Sequence, residues 1–139
     1  MPPKLEQAIR RFAAADRATR LETLLDFSRK LPPLPPAFQA ARDRKGHRVP
    51  ECQTPVYLWL EREGEAIRLH ADVPRESPTV RGFVALLARS LEGATAAEVA
   101  ALPDDLLHAL RLDETLGMTR SHGLTAIVRR LKRMAAEGG

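Results

Sequence analysis

The chain has 139 residues, 44% of them hydrophobic, with 22 basic and 18 acidic side chains giving a net charge of +4. That size and balance suit one globular domain, residues 1–139, with a real core, and exclude a largely disordered chain. No apolar run approaches the ~18 residues of a membrane span, and scattered basic residues with only 4% aromatics argue against a nucleic-acid reader.

In chain order, Leu5, Ala8, Ile9, Phe12 and Ala13 follow helical spacing, which predicts an amphipathic helix over residues 4–14. The charged N-terminus has no continuous apolar segment, so no secretory signal is expected. Asp16 can cap a second helix, in which Leu21, Leu24, Leu25 and Leu31 share a face with Ser28. Pro32-Pro33-Leu34-Pro35-Pro36 ends that helix as an extended strap. Residues 40–48 form a polar loop with Arg42, Arg44, Lys45, His47 and Arg48, and a short strand is expected near residues 47–50.

Two strands follow, over residues 56–61 and 66–71, joined by the Glu63-Gly64-Glu65 turn. Val56, Leu58 and Leu60 share one face, and Ile67, Leu69 and Ala71 the matching face of the partner. Two strands alone are marginal, so helices must cover that face. After a connection at residues 72–76, Ser77-Pro78 signals a helix start, with serine at the cap and proline first in the helix. Val80, Phe83, Val84, Leu87 and Leu91 make its stripe and Gly93 stops it. Gly82, inside that stripe, points to close packing. Thr95 and Glu98 spell a capping box for a short helix. Pro103-Asp104-Asp105 opens another, with Leu106, Leu107 and Leu110. The last helix begins near residues 119–121, with Leu124, Ile127, Val128, Leu131 and Met134 inside and four basic residues in its later turns. The fold class is therefore α+β: a small antiparallel sheet of about three strands flanked by helices.

The chemistry centres on Val49-Pro50-Glu51-Cys52-Gln53-Thr54-Pro55-Val56-Tyr57. Cys52 is the single cysteine, so no internal disulfide and no two-cysteine redox motif can form, and a reducing cytoplasm is the expected setting. Pro50 and Pro55 disfavour helix on both sides of it. The thiol therefore sits in a loop at the end of a strand, a place suited to presenting one reactive atom. A free cysteine reacts as the thiolate, with a pKa near ~8.5. Arg48 and Lys45 would favour that form and Glu51 would oppose it. A lone thiol also suits carrying a persulfide, because no neighbouring thiol can resolve it. The plainer alternative is a buried structural cysteine. The four histidines, His47, His70, His108 and His122, lack metal-ligand spacing. No metal or cofactor is expected.

Four stretches in order carry a family resemblance. Leu31-Pro32-Pro33-Leu34-Pro35 resembles the LPPLP strap of the SufE family, and Val49 to Tyr57 resembles its V-x-G-C-Q-S-x-V-W segment. Ala71-Asp72 with Thr79-Val80-Arg81-Gly82 resembles A-D-S-D-A-x-I-V-R-G. Arg120-Ser121-His122-Gly123-Leu124 resembles R-S-N-G-L. The chain departs from the pattern at Glu51 (glycine in the family), Thr54 (serine), Tyr57 (tryptophan) and His122 (asparagine). Its connection after Asp72 is two residues longer.

The resemblance implies a fold like that of IscU-type scaffolds and a sulfur relay in iron–sulfur cluster assembly. The partners implied are a pyridoxal-phosphate cysteine desulfurase of the SufS or CsdA type and a scaffold of the SufB type. Cys52 would be the nucleophile and carrier. Gln53 and Asp72 would shape its loop, Arg120 would lie on the surface that meets the desulfurase, and His122 would stand at the family's asparagine position. The protein would be a covalent carrier and desulfurase activator, at most a sulfurtransferase, and a monomer or weak homodimer. A thiol redox sensor or a non-catalytic protein-binding module remain alternatives.

Overall fold

The computed structural model describes residues 1–40 and 45–137. Helix α1 spans Pro3–Ala14, and proline at its first position suits a helix start where no amide partner is needed. Helix α2 spans Arg17–Ser28, and the Asp16 carboxylate accepts from the Thr19 amide at 2.8 Å, the expected cap. The proline strap then leads into a single turn, α3 (Pro36–Gln39). A 3-10 turn at Lys45–His47 precedes the hairpin of β1 (Tyr57–Glu63) and β2 (Ala66–Asp72). The two strands are antiparallel, with Leu58 opposite Ala71 and Leu60 opposite Leu69. The second half is helical: α4 (Pro78–Ser90), α5 (Ala96–Ala100), α6 (Leu106–Ala109), α7 (Leu112–Leu116) and α8 (Met118–Ala136).

The α+β architecture is as expected, but the sheet has two strands among the described residues where about three were expected. The would-be third strand is reduced to one bridge, Arg48 to Tyr57. A 3-10 turn ends immediately before it and Pro50, which has no amide to donate, follows two residues after it. The basic residues Arg42 and Arg44, and the side chain of Lys45, lie outside the described residues.

One face of the hairpin buries Leu58, Ile67, Leu69 and Ala71 against the helices. Phe83, Leu86 and Leu87 of α4, Leu91 just past its end, and Leu124, Ile127 and Leu131 of α8 face it, each at most 1% exposed. The outer face is not left to solvent either. Trp59 is 4% exposed, with His47 stacked on it at 4.9 Å between ring centroids and Phe38 tilted against it at 5.7 Å. Arg20 of α2 is a buried cation that the helical pattern did not single out. Its Nε donates to Thr115 Oγ1 at 2.8 Å and its Nη1 to the Ala15 carbonyl at 2.5 Å, which ties α2 to α7.

Close approach of α2 and α4 rests on Gly82. A Cβ at that position would collide with the Leu24 carbonyl, main-chain atoms that cannot swing away. Gly82→Ala should therefore destabilise the fold by about 2 kcal/mol or more, read as a lower midpoint in urea unfolding; an unchanged midpoint would contradict the packing described here.

Candidate functional site

The cysteine loop is closed at its base. The Val49 amide donates to the Val56 carbonyl at 2.9 Å, and both valines are fully buried. Within the loop the Cys52 amide donates to the Val49 carbonyl at 3.3 Å, a turn that tucks the residue inward. A loop position alone leaves the exposure of the thiol open, and the structure buries it. Cys52 is 5% exposed and packs as part of the hydrophobic core. The reason lies 71 residues further on, at Gly123 of α8. A Cβ built there would stand 3.3 Å from Cys52 Sγ and 3.7 Å from its Cα, so the missing side chain leaves the slot that the sulfur fills.

Beside the thiol is a cleft of about 550 Å³. The loop contributes Glu51, Cys52, Gln53 and Thr54 to it. The start of α4 adds Ser77 to Val80, and the start of α8 adds Met118, Arg120, His122 and Gly123. Of the residues expected at the site, Cys52, Gln53, Arg120 and His122 thus line one cleft, the last three exposed. Asp72 does not line it; it is half-buried at the end of β2, paired with Tyr57.

Ser77 stands at the expected cap position of α4, yet its side chain caps nothing and its backbone angles are φ −117°, ψ 68°. Its hydroxyl instead accepts from Thr54 Oγ1 at 3.2 Å. Gly117, at the cap position of α8, has no side chain to cap with. Two helix N-termini with no side-chain cap therefore border the cleft, and each carries partial positive charge that favours an anion. The Glu51 and Glu76 carboxylates at the rim oppose them.

Burial pushes the Cys52 thiol above its ordinary pKa, because the core solvates a thiolate poorly. Hydrogen bonds from the Thr54 amide and hydroxyl and the nearby Arg48 guanidinium pull the other way without overcoming it. The resting thiol is thus protonated and shielded. Sequence reasoning missed Thr54 as a donor to the sulfur, Ser77 as the partner of Thr54, and Gly123 as the floor under the sulfur. Ser77-Pro78 was visible as a helix start, but nothing local marks it as a partner of Thr54. Met118, 89% exposed at the cleft rim, carried no periodic signal.

Residues 6–135 match the SufE family, described as a Fe-S metabolism associated domain. The chain is 33% identical over 138 residues to an uncharacterized SufE-like protein of Mycobacterium tuberculosis, covering 99% of this chain and 94% of that one. A SufE-like protein of Synechocystis is 29% identical over 136 residues, covering 97% and 82%. A Thermus thermophilus protein of known solution structure superposes with a TM-score of 0.84 at 35% identity, over 99% of this chain and 96% of that one.

Alkylation of Cys52 should speed up with rising pH through a midpoint above that of an unhindered cysteine, since the buried neutral form is the favoured one. Thr54→Val, which removes one donor to the sulfur, should move that midpoint higher. Gly123→Ala should crowd the sulfur outward, lower the midpoint and accelerate alkylation at fixed pH. A wild-type midpoint at or below the free-thiol value would contradict the burial.

Proposed function

The chain belongs to the SufE family, whose domain serves iron–sulfur metabolism, and on that premise we propose that it is a sulfur carrier that works through Cys52. The observation that carries the reading is the placement of the lone thiol, held in a glycine-floored slot between two uncapped helix N-termini.

The exchange balances without an outside oxidant. A desulfurase presents a cysteine persulfide. The Cys52 thiolate attacks its terminal sulfur, a new S–S bond forms at Cys52, the donor S–S bond breaks, and the donor cysteine leaves as a thiolate. A second exchange of the same kind passes the sulfur to a cluster-building scaffold. The persulfide on Cys52 is anionic when deprotonated, and the ends of α4 and α8 suit that charge. No second cysteine exists in the chain to collapse the intermediate into a disulfide.

A thiol that is 5% exposed cannot reach a sulfur held by another protein. The loop from Val49 to Val56 must therefore release it on docking. Arg120, His122 and the protruding Met118 surround the cleft mouth, and they form the surface on which the desulfurase would seat. In solution the resting thiol stays shielded from oxidants, which favours a carrier over a redox sensor, since sensors keep an accessible low-pKa thiolate.

Desulfurase turnover, measured as alanine released from cysteine, should rise several-fold on adding the wild-type protein and not on adding Cys52→Ser. Arg120→Ala should require a higher protein concentration for the same stimulation while leaving the melting temperature unchanged. Full stimulation by Cys52→Ser would refute the carrier reading, and an Arg120→Ala effect on melting alone would refute the docking role.

A further inference from the structure

The second strand of the hairpin has an open edge. Pairing between β1 and β2 runs unbroken from Tyr57 opposite Asp72 to Glu63 opposite Ala66. The Ile67 amide faces away from β1 and donates to the Ala94 carbonyl at 2.8 Å. Main-chain groups of an antiparallel strand alternate between its two edges, so Leu69 and Ala71 also present theirs away from β1. The far edge of the sheet agrees: His47 Nδ1 lies 3.3 Å from the outward-facing Leu58 carbonyl, and Leu58 stands opposite Ala71. Among the described residues nothing bonds the amide or the carbonyl of Leu69 or Ala71. The open stretch is bounded at both ends. Ala94 closes it at Ile67, and the Arg81 guanidinium closes it at the Val73 carbonyl, at 2.6 Å.

Two observations point to what completes it. First, Leu69 and Ala71 are only 7% and 5% exposed, and main-chain groups of residues so buried are nearly always bonded. Second, both residues line a cleft of about 290 Å³, together with the strap prolines and with Ala85 and Ala88 of α4. The strap borders this edge but is the wrong chain to pair with it. Pro32, Pro33 and Pro35 have no amide to donate, and the Leu34 carbonyl is taken by Gln39 Nε2 at 2.8 Å. The small side chains of the two alanines leave the space beside the edge unfilled.

We propose that this edge receives a short extended peptide segment of another protein, which pairs with Leu69 and Ala71 as a third strand. Donors and acceptors alternating along an open edge match an extended main chain. A second copy of this chain fits poorly. The open stretch, residues 68–72, is far too short to bury the roughly 1,000 Å² that a stable interface needs, and each copy would bring its own strap and α4 to the same edge. The charges around the cleft set the character of the segment. Lys30 pairs with Asp26 at 2.8 Å and Arg68 with Glu63 at 3.3 Å. The two remaining charges, Arg89 and Glu92, are opposite in sign. The rim is therefore balanced, and it complements an uncharged segment with small or β-branched side chains and no proline at the pairing positions.

The test follows amide hydrogen exchange residue by residue in the full chain. The probe is the blocked peptide Thr-Val-Ala-Val-Thr-Ser, and the control is the same peptide with prolines in place of Val-Ala-Val. In the free protein the Leu69 and Ala71 amides should exchange faster than those of His70 and Asp72, which face β1. The probe should slow Leu69 and Ala71 by about tenfold once it is about tenfold above its midpoint, with that midpoint at about 1 mM or lower and independent of salt. The control should slow neither. Ala88→Gln, which places a longer side chain in the cleft, should raise the probe's midpoint several-fold; if that variant does not fold, the proline control carries the test alone. Leu69 and Ala71 amides as protected as their neighbours in the free protein would overturn the proposal. So would no slowing by the probe, or equal slowing by the control. Protection that grows with protein concentration in the absence of peptide would assign the edge to a second copy and also overturn it. Neither Cys52 chemistry nor a desulfurase enters the measurement, so its result stands apart from the fate of the sulfur-carrier reading.

Discussion

A single main-chain hydrogen bond, from the Val49 amide to the Val56 carbonyl, sets the terms on which Cys52 exists. It closes the loop at two fully buried valines and leaves six residues to make the excursion between them. With Pro50 and Pro55 both inside that excursion, few backbone paths remain. The path taken turns the cysteine inward until its sulfur meets the bare backbone at Gly123. The residue proposed to react is thus held by the same forces that hold the core.

That arrangement sets burial against reactivity. Desolvation favours the neutral thiol, while the Thr54 donors and the Arg48 charge favour the thiolate, and desolvation is the larger influence. The uncapped ends of α4 and α8 add a fixed positive potential around the cleft that matters more once the sulfur is charged and extended by one atom. For the sulfur carrier proposed above this balance is useful: the thiol would be inert when idle and reactive once a partner draws the loop out. The hairpin and α4 are braced separately, by the Gly82 contact with Leu24 and by Arg81, whose guanidinium bonds the Ser28 and Val73 carbonyls at 2.9 and 2.6 Å.

Much of this was legible in the sequence, and the failures have physical causes. The apolar stripes of α1, α2, α4 and α8, the Asp16 cap and the Thr95–Glu98 capping box are local patterns, and local patterns carry through to the fold. The α3 turn is only four residues long, too short for any period. The third strand failed because Pro50 denies it an amide. Ser77 was read correctly as a helix start, but tertiary contact with Thr54 redirected its hydroxyl. Arg20 reads as a solvent-facing cation until α7 arrives to surround it. For Cys52 the loop signals were right, and they left open whether the thiol is buried. Prolines describe a backbone path, whereas burial is decided by a glycine on another element. Trp59 alternates with Leu58 and Leu60 along β1, and only the chain around Phe38 and His47 turns its face into an interior.

The most direct test of the account is the intact mass of the protein after incubation with a cysteine desulfurase, its pyridoxal phosphate and free cysteine. The account predicts a gain of one sulfur atom, located on Cys52 and lost on reduction. A folded protein whose Cys52 alkylates normally yet gains no sulfur would contradict it.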